Sequence, residues 1–265
     1  ENKVSASSEN LRGTPQSAQR TEKPLKVRKN WLRIFGIILC AAALTLGIVF
    51  GVGNIFKTED NFKIYAANEQ AAADWTKAVG DSLADSTDAV YKVTLQADWG
   101  AEGGSFGTGT GYTNGALYIP AGAKIELDLN GHALSRNLSS ARANGYVIYV
   151  SGEFTLSDSS GTQLGIVTGG YNSSGSSAGG VHVAANSTFN FEGGNISNNT
   201  CSGGAGGGGI YTVAGSTMNM GPGAKISSNT STSTVTTHSS PGGIVTYGTF
   251  NSTGGTITGN TGVQA

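Results

Sequence analysis

The apolar and polar residues of the second half of the chain repeat with a period of about 30 residues. Within each copy, apolar and polar residues alternate in short runs rich in β-branched and aromatic types, as strands with one buried face do. Two apolar positions recur at spacings of 29 to 32 residues: Ile196, Ile226 and Ile257, and Phe189, Met218 and Phe250. A fixed period of this size indicates a solenoid. We therefore predict an all-β, parallel β-helix over residues 91–265, with three short strands in each turn.

Asparagines repeat together with the apolar positions. Asn199, Asn229 and Asn260 are spaced by 30 and 31 residues. Asn favours turns and tolerates the left-handed backbone region, and its amide can bond the same residue in the copies above and below. We expect a ladder of stacked Asn side chains at one corner of the solenoid. The copies differ most at residues 201–209 and 231–242, which we interpret as loops on one edge.

A helical pattern precedes the repeats. Asn68 and Glu69 resemble the start of a helix, and Trp75, Val79 and Leu83 then form an apolar stripe. Because a solenoid exposes an unpaired edge and an apolar core at its end, we predict that residues 68–90 form a capping helix. Trp75, Val79 and Leu83 would cover the first turn. The sequence ends directly after a repeat, so we expect further residues after residue 265.

The first third of the chain predicts a membrane anchor. Residues 34–56 contain 23 residues without a charge, which as a helix span about 35 Å, more than the hydrocarbon core of a bilayer. Residues 1–33 carry eight Lys and Arg against three Glu, a net charge of +5. We interpret them as a disordered cytoplasmic arm, residues 34–56 as a transmembrane signal anchor, and residues 57–67 as a linker. Residues 57–265 are then extracellular. A cleaved signal peptide is the alternative.

Composition and charge exclude several classes of function. The net charge of -1 argues against binding to nucleic acid. Two Cys cannot form a disulfide framework or a four-ligand zinc site. Glu126 and Asp128 share one strand face with Lys124, which favours a solvated outer face over a catalytic pair. The remaining candidates are scattered, or are expected to be exposed: Glu153, Asp158, Glu192, His132, His182 and His238. We predict no catalytic residue, no metal site and no cofactor.

Outward aromatic residues are the candidate ligand-binding positions. If the alternation is as described, Tyr149, Tyr211 and Tyr247 lie on the outer faces of strands. Exposed aromatic rings can stack against sugar rings or contact a partner protein. The alternative is that these are isolated tyrosines on a pleated surface, without a ligand.

The segment ALYIPAGAKIELDLNGHALSR and the copies that begin with Gly-Gly and end in Asn-Thr resemble a group of bacterial cell-surface proteins. These proteins carry right-handed parallel β-helix repeats, similar to the pectin-lyase-like superfamily and to the passenger domains of adhesins. The resemblance covers residues 115–265. It implies a right-handed solenoid on the outside of a bacterium, but it does not select an activity, because the superfamily includes lyases, hydrolases and non-catalytic stalks.

Three hypotheses of function remain. The first is a membrane-tethered, non-catalytic stalk or adhesin whose partner is a glycan, or a protein on a host or neighbouring cell. The second is a carbohydrate-active enzyme (a polysaccharide lyase or hydrolase) or a glycan-binding module. The third is a structural spacer for a further domain.

Overall fold

The structure is a computed structural model that describes residues 59–235 and 239–264, with side chains from residue 67 onward. In these residues one helix, α1 (Glu59–Ala84), precedes a series of short strands. The strands stack as a parallel β-solenoid of about five turns, each of which we call a rung. The sequence repeat therefore predicted the all-β architecture and the initial helix correctly.

Helix α1 starts earlier and ends earlier than the predicted range of 68–90. Most of the predicted linker at 57–67 belongs to it, and Asn68 lies inside it, where its Oδ1 accepts a hydrogen bond from the Gly100 N–H at 3.1 Å. The helix ends at Ala84 because the Asp85 carboxylate accepts a hydrogen bond from the Thr87 N–H at 2.7 Å, and Asp88 has a φ of 69°. Both features bend the chain out of the helical path.

The part of the chain that the structure describes contains no helix long and apolar enough to cross a membrane. The predicted basic arm at 1–33 and the predicted transmembrane segment at 34–56 lie outside the described residues.

The first strand position of each rung belongs to a six-stranded sheet in which five strands run parallel and one short strand pairs antiparallel at the start. Its strands are β3 (Tyr112–Thr113), β4 (Ala116–Ile119), β7 (Ile148–Val150), β11 (Val181–Val183), β14 (Ile210–Thr212) and β17 (Ile244–Thr246).

The second and third positions belong to one ten-stranded parallel sheet. The second position contains β1 (Tyr91–Thr94), β5 (Lys124–Asp128), β8 (Glu153–Ser157), the first half of β12 (Thr188–Ser197) and of β15 (Thr217–Ser227), and β18 (Thr249–Ser252). The third position contains β2 (Trp99–Gly100), β6 (Ala133–Ser135), β9 (Ile166–Thr168), the second halves of β12 and β15, and β19 (Thr256–Thr258). A register shift between Phe191 and Gly193 separates the halves of β12, so one strand serves two positions.

A fourth position, which the sequence did not predict, forms a three-stranded parallel sheet. Its strands contain two residues each: β10 (Tyr171–Asn172), β13 (Thr200–Cys201) and β16 (Thr230–Ser231). Strands this short show no alternation, which explains why three strands per rung were expected.

The core consists of inward-facing columns that run along the solenoid. In one column Ile125, Phe154, Phe189 and Met218 are in register, and each is at most 1% exposed. The rings of Phe154 and Phe189 stack with centroids 5.7 Å apart. Burying each such side chain contributes about 1.5 to 3 kcal/mol, so the columns hold successive rungs together.

Helix α1 covers the first rung, as predicted, but with one different residue. Trp75 and Val79 are fully buried, and the Trp75 Nε1–H donates to the Gly111 carbonyl at 2.7 Å. The prediction for Leu83 is wrong, because its side chain is 46% exposed. Ser82 makes the contact instead: its Oγ accepts a hydrogen bond from the Lys124 N–H at 2.8 Å.

The predicted asparagine ladder is present, and we call Asn199, Asn229 and Asn260 the buried asparagine ladder. The Nδ2 of Asn199 donates to Asn229 Oδ1 at 3.1 Å, and the Nδ2 of Asn229 donates to Asn260 Oδ1 at 3.0 Å. The left-handed backbone lies one residue earlier, and its φ values are 55° at Asn198, 55° at Ser228 and 61° at Gly259. The ladder residues therefore use their amides for bonding between rungs, while their neighbours make the bend.

Candidate contact surface

Aromatic side chains form a continuous stack on the outer face of the six-stranded sheet. Pairing places four of them in register on successive strands, and we call these residues the aromatic ladder: Tyr118, Tyr149, His182 and Tyr211. Tyr146 packs beside the ladder, with its ring centroid 5.1 Å from that of Tyr149. The sequence analysis named Tyr149 and Tyr211 but missed the other members. Spacings of 31, 33 and 29 residues between ladder positions were the available signal.

The rings of the ladder cover one another's faces. The Tyr149 and His182 centroids are 4.8 Å apart at an interplanar angle of 5°, and His182 and Tyr211 are 5.5 Å apart at 17°. Tyr149 is half-buried and Tyr211 is only 6% exposed. Of the three predicted ligand-binding tyrosines, Tyr247 is the most accessible: it is 57% exposed and touches Tyr211 at 5.7 Å. Ligand contact at these tyrosines stays a prediction.

His182 occupies an outward position but is covered, so the expectation of an exposed side chain is wrong. It is 9% exposed, and its Nδ1 lies 3.1 Å from the Ser177 Oγ of the preceding loop. Burial lowers the pKa of His182 to about 4, so the imidazole is neutral at physiological pH. His132 is half-buried, with its Nδ1 3.4 Å from Asp98 Oδ1, and His238 lies outside the described residues.

A second outer surface, on the second strand position, presents uncharged polar side chains. We call Asn190, Asn219 and Asn251 the outer asparagine ladder. The Nδ2 of Asn219 donates to Asn190 Oδ1 at 2.7 Å, and the Nδ2 of Asn251 donates to Asn219 Oδ1 at 2.9 Å. Threonines occupy the outward positions two residues earlier on the same strands: Thr188, Thr217 and Thr249. This face therefore offers hydroxyl and amide groups that recur at each rung, about 4.8 Å apart.

Charged residues lie on the same face in the first rungs, where they pair with one another. Lys92 Nζ is 2.9 Å from Glu126 Oε1 and 3.0 Å from Asp128 Oδ2. Lys124 Nζ contacts Asp88 and lies 3.2 Å from Glu153 Oε2. The predicted outward direction of these side chains is correct. The expectation of a solvated side chain is wrong for Asp128, which is 2% exposed.

Asp128 and Asp158 bind main-chain N–H groups in adjacent turns. Burial would raise the pKa of the Asp128 carboxyl, but hydrogen bonds from Ser159, Lys92 and Asn130 outweigh burial, and the pKa is lowered. The pKa of Asp158 is lowered in the same way by hydrogen bonds from the N–H groups of Gly131, Ser160 and Gly165. A general acid needs a raised pKa, so neither carboxyl is suited to protonate a leaving group.

Arg136, which the sequence analysis did not single out, is fully buried below the aromatic ladder. Its guanidinium donates to the main-chain carbonyls of Gly104 at 3.2 Å and Asn144 at 2.7 Å, and also to those of Asn114 and Tyr146. Burial, and secondarily the charge of Arg142, lowers its pKa to about 10. The guanidinium therefore joins three loops. Its signal in the sequence is a single cation directly after the short apolar run of β6.

Within residues 59–235 and 239–264, no group of three or more His, Cys, Asp and Glu side chains could hold a metal ion. Cys201 is buried, and burial raises the pKa of its thiol, so it is not an activated nucleophile. Cys40 lies outside the described residues. Comparison of the chain with protein-family models, with curated proteins and with solved structures found no match.

Proposed function

We propose that the protein is a non-catalytic stalk or adhesin: a right-handed, pectin-lyase-like β-helix held at the outside of a bacterial cell by residues 34–56. Its partner is a glycan, or a protein on a host or neighbouring cell. The uncharged segment at 34–56 with its basic flank supports the anchor. The resemblance of residues 115–265 to bacterial surface repeats supports the handedness and the location.

One observation carries the proposal: the outer faces repeat the same uncharged groups in register over successive rungs. The outer asparagine ladder and its threonines extend over three rungs, β12, β15 and β18. A single hydrogen bond to such a group contributes only about 0.5 to 1.5 kcal/mol net. A polymer that contacts several rungs at once adds these contributions within one complex. Tyr247 adds an accessible ring beside Tyr211 at the end of the aromatic ladder.

The charged cluster of the first rungs favours the second candidate, a carbohydrate-active enzyme. Glu126, Asp128 and Glu153 lie on neighbouring strands with two lysines between them. A carboxylate pair on an open face is the usual arrangement for glycoside hydrolysis. The lowered pKa of Asp128 opposes this role, and it places the enzyme hypothesis second.

The test is a glycan array and a polysaccharide pull-down with the full chain in detergent, with product release measured on the same polysaccharides. We expect saturable binding without product. Tyr247→Ala should weaken binding about two- to ten-fold, the value of one aromatic contact of about 0.5 to 1.5 kcal/mol. Tyr171→Ala, which removes a tyrosine outside the aromatic ladder, is the matched control.

Each result separates the hypotheses. Released oligosaccharide that disappears in Glu126→Gln would refute the non-catalytic role in favour of the enzyme. Binding that Tyr247→Ala leaves unchanged would remove Tyr247 from the contact surface. If no glycan binds, the glycan partner is refuted, and the spacer hypothesis replaces it unless a protein partner is found.

A further inference from the structure

The last rung differs from all others in having a free edge. Strand β17 pairs with β14, and both β18 and β19 pair with β15. On the opposite side of these three strands, no strand of the described residues pairs with them. Thr249 and Thr253 donate their N–H groups back to the previous rung, at 2.9 Å each. Because a parallel ladder alternates in direction, the N–H and C=O groups of Phe250 and Ser252 point to the free edge.

The apolar columns of the core are also open at this end. Phe250 is 38% exposed, whereas its neighbour in the same column, Met218, is fully buried. Ile257 is 52% exposed, whereas Ile226 is fully buried. A concavity of about 670 Å³ lies here, lined by residues that include Ile244, Ile257, Asn260 and Val263. Main-chain groups and apolar side chains therefore both lack cover at the same surface.

The opposite end of the solenoid is already occupied. Helix α1 lies against β1, β2 and β5, and its residues Trp75 and Val79 are fully buried there. A second copy cannot add its last rung to this end without displacing the helix. Stacking of copies head to tail is thus blocked, and self-association through the free edge joins two identical ends. Such an interface is two-fold symmetric and closes at a dimer.

The free edge has none of the features that usually prevent edge pairing. Residues 244–264 contain no Lys, Arg, Asp or Glu, and no proline interrupts β17, β18 or β19. Natural proteins place charges or prolines on exposed edges to prevent pairing with other chains. In a two-fold interface every charge near the axis faces its own copy, so an uncharged edge meets no repulsion.

We propose that the last rung is a self-association surface, and that its partner is the last rung of a second copy of this chain. The two-fold axis passes close to Asn251, so β18 pairs with its copy in antiparallel orientation. The Phe250 N–H and C=O then bond Ser252 of the copy, and the Ser252 groups bond Phe250 of the copy. Both edges are ordered before they meet, so the dimer avoids the entropy cost that a flexible peptide pays on binding.

The test is sedimentation velocity of the full chain in detergent over a range of protein concentrations. We expect a monomer–dimer equilibrium for the wild type. Asn251→Lys places two like charges against each other at the axis, and should abolish the dimer. The matched control is Asn190→Lys, which makes the same change in the same outer asparagine ladder two rungs away, and should leave the dimer intact.

A second variant separates edge pairing from side-chain effects. Ser252→Pro removes an N–H that points to the free edge and none that the monomer uses, which is the position where a strand tolerates proline. It should also abolish the dimer, and circular dichroism should show an unchanged fold. Hydrogen exchange at Phe250 and Ser252 should slow as the wild-type concentration rises. A wild type that stays monomeric, or a dimer that persists in Asn251→Lys, overturns the inference. The test does not depend on any ligand or on the proposed anchor.

Discussion

Replacing Asn229 by alanine tests whether the buried asparagine ladder stabilises the solenoid. Asn229 is fully buried in the middle of the ladder. Its Oδ1 accepts hydrogen bonds from the Asn199 N–H at 3.0 Å and from Asn199 Nδ2 at 3.1 Å. Its Nδ2 donates to the Ile196 carbonyl at 2.8 Å and to Asn260 Oδ1 at 3.0 Å. One side chain thus joins three rungs.

The magnitude follows from the groups that lose a partner. In Asn229→Ala, the Asn199 main-chain N–H loses its acceptor and the Ile196 carbonyl loses a donor, both in a region closed to water. Each buried group left without a partner costs about 1 to 3 kcal/mol, so the free energy of unfolding should fall by about 2 to 5 kcal/mol. Asn190→Ala removes an outer amide that water replaces, and should cost less than about 1 kcal/mol.

Urea unfolding of the full chain, followed by circular dichroism and tryptophan fluorescence, measures both variants. Agreement between the two signals checks that unfolding is cooperative, which repeat proteins do not always satisfy. Asn229→Asp separates hydrogen bonding from packing, because it keeps the shape but replaces the donor with an oxygen that faces the Ile196 carbonyl. Asn229→Asp as stable as the wild type, or equal losses in Asn229→Ala and Asn190→Ala, would refute the reasoning.

Three further predictions concern the cap, the aromatic ladder and the buried cation. Trp75→Ala should lower the free energy of unfolding by about 3 to 5 kcal/mol, whereas Leu83→Ala, at a position 46% exposed, should change it by less than about 1 kcal/mol in the same urea assay. Because the folded-state pKa of His182 is lowered to about 4, protonation favours the unfolded state. The stability that this residue contributes is complete above the unfolded pKa of about 6.5 and is lost as pH falls toward 4, by roughly 3 kcal/mol. His182→Tyr should flatten stability against pH in that window, and His132→Gln should not; an unchanged profile in His182→Tyr contradicts the assignment. Arg136→Lys keeps the charge but loses the planar fork of donors, so hydrogen exchange in residues 142–146 should accelerate; wild-type exchange there would show that the loops do not depend on the guanidinium.

The repeat made the solenoid predictable, because every rung must place the same kind of side chain in the same column. Ile196, Ile226 and Ile257 are in register as their spacing indicated, and the buried asparagine ladder bonds as expected. The candidate surface was only partly predictable. The spacing located Tyr149 and Tyr211 on outward positions, but it could not reveal that their ring faces lie against His182.

The sequence by itself determined the class of the fold, since a 30-residue apolar period with alternation can bury its core only by stacking rungs. It also determined the presence of the helix and the corner that asparagine occupies. Only the tertiary structure decided which outward residues are covered. Ser177 of the preceding loop covers His182, turns of neighbouring rungs cover Asp128, and no neighbour covers Leu83 or Ile257. The physical reason is that alternation specifies the side of a strand to which a residue points, whereas its exposure depends on segments distant in the sequence.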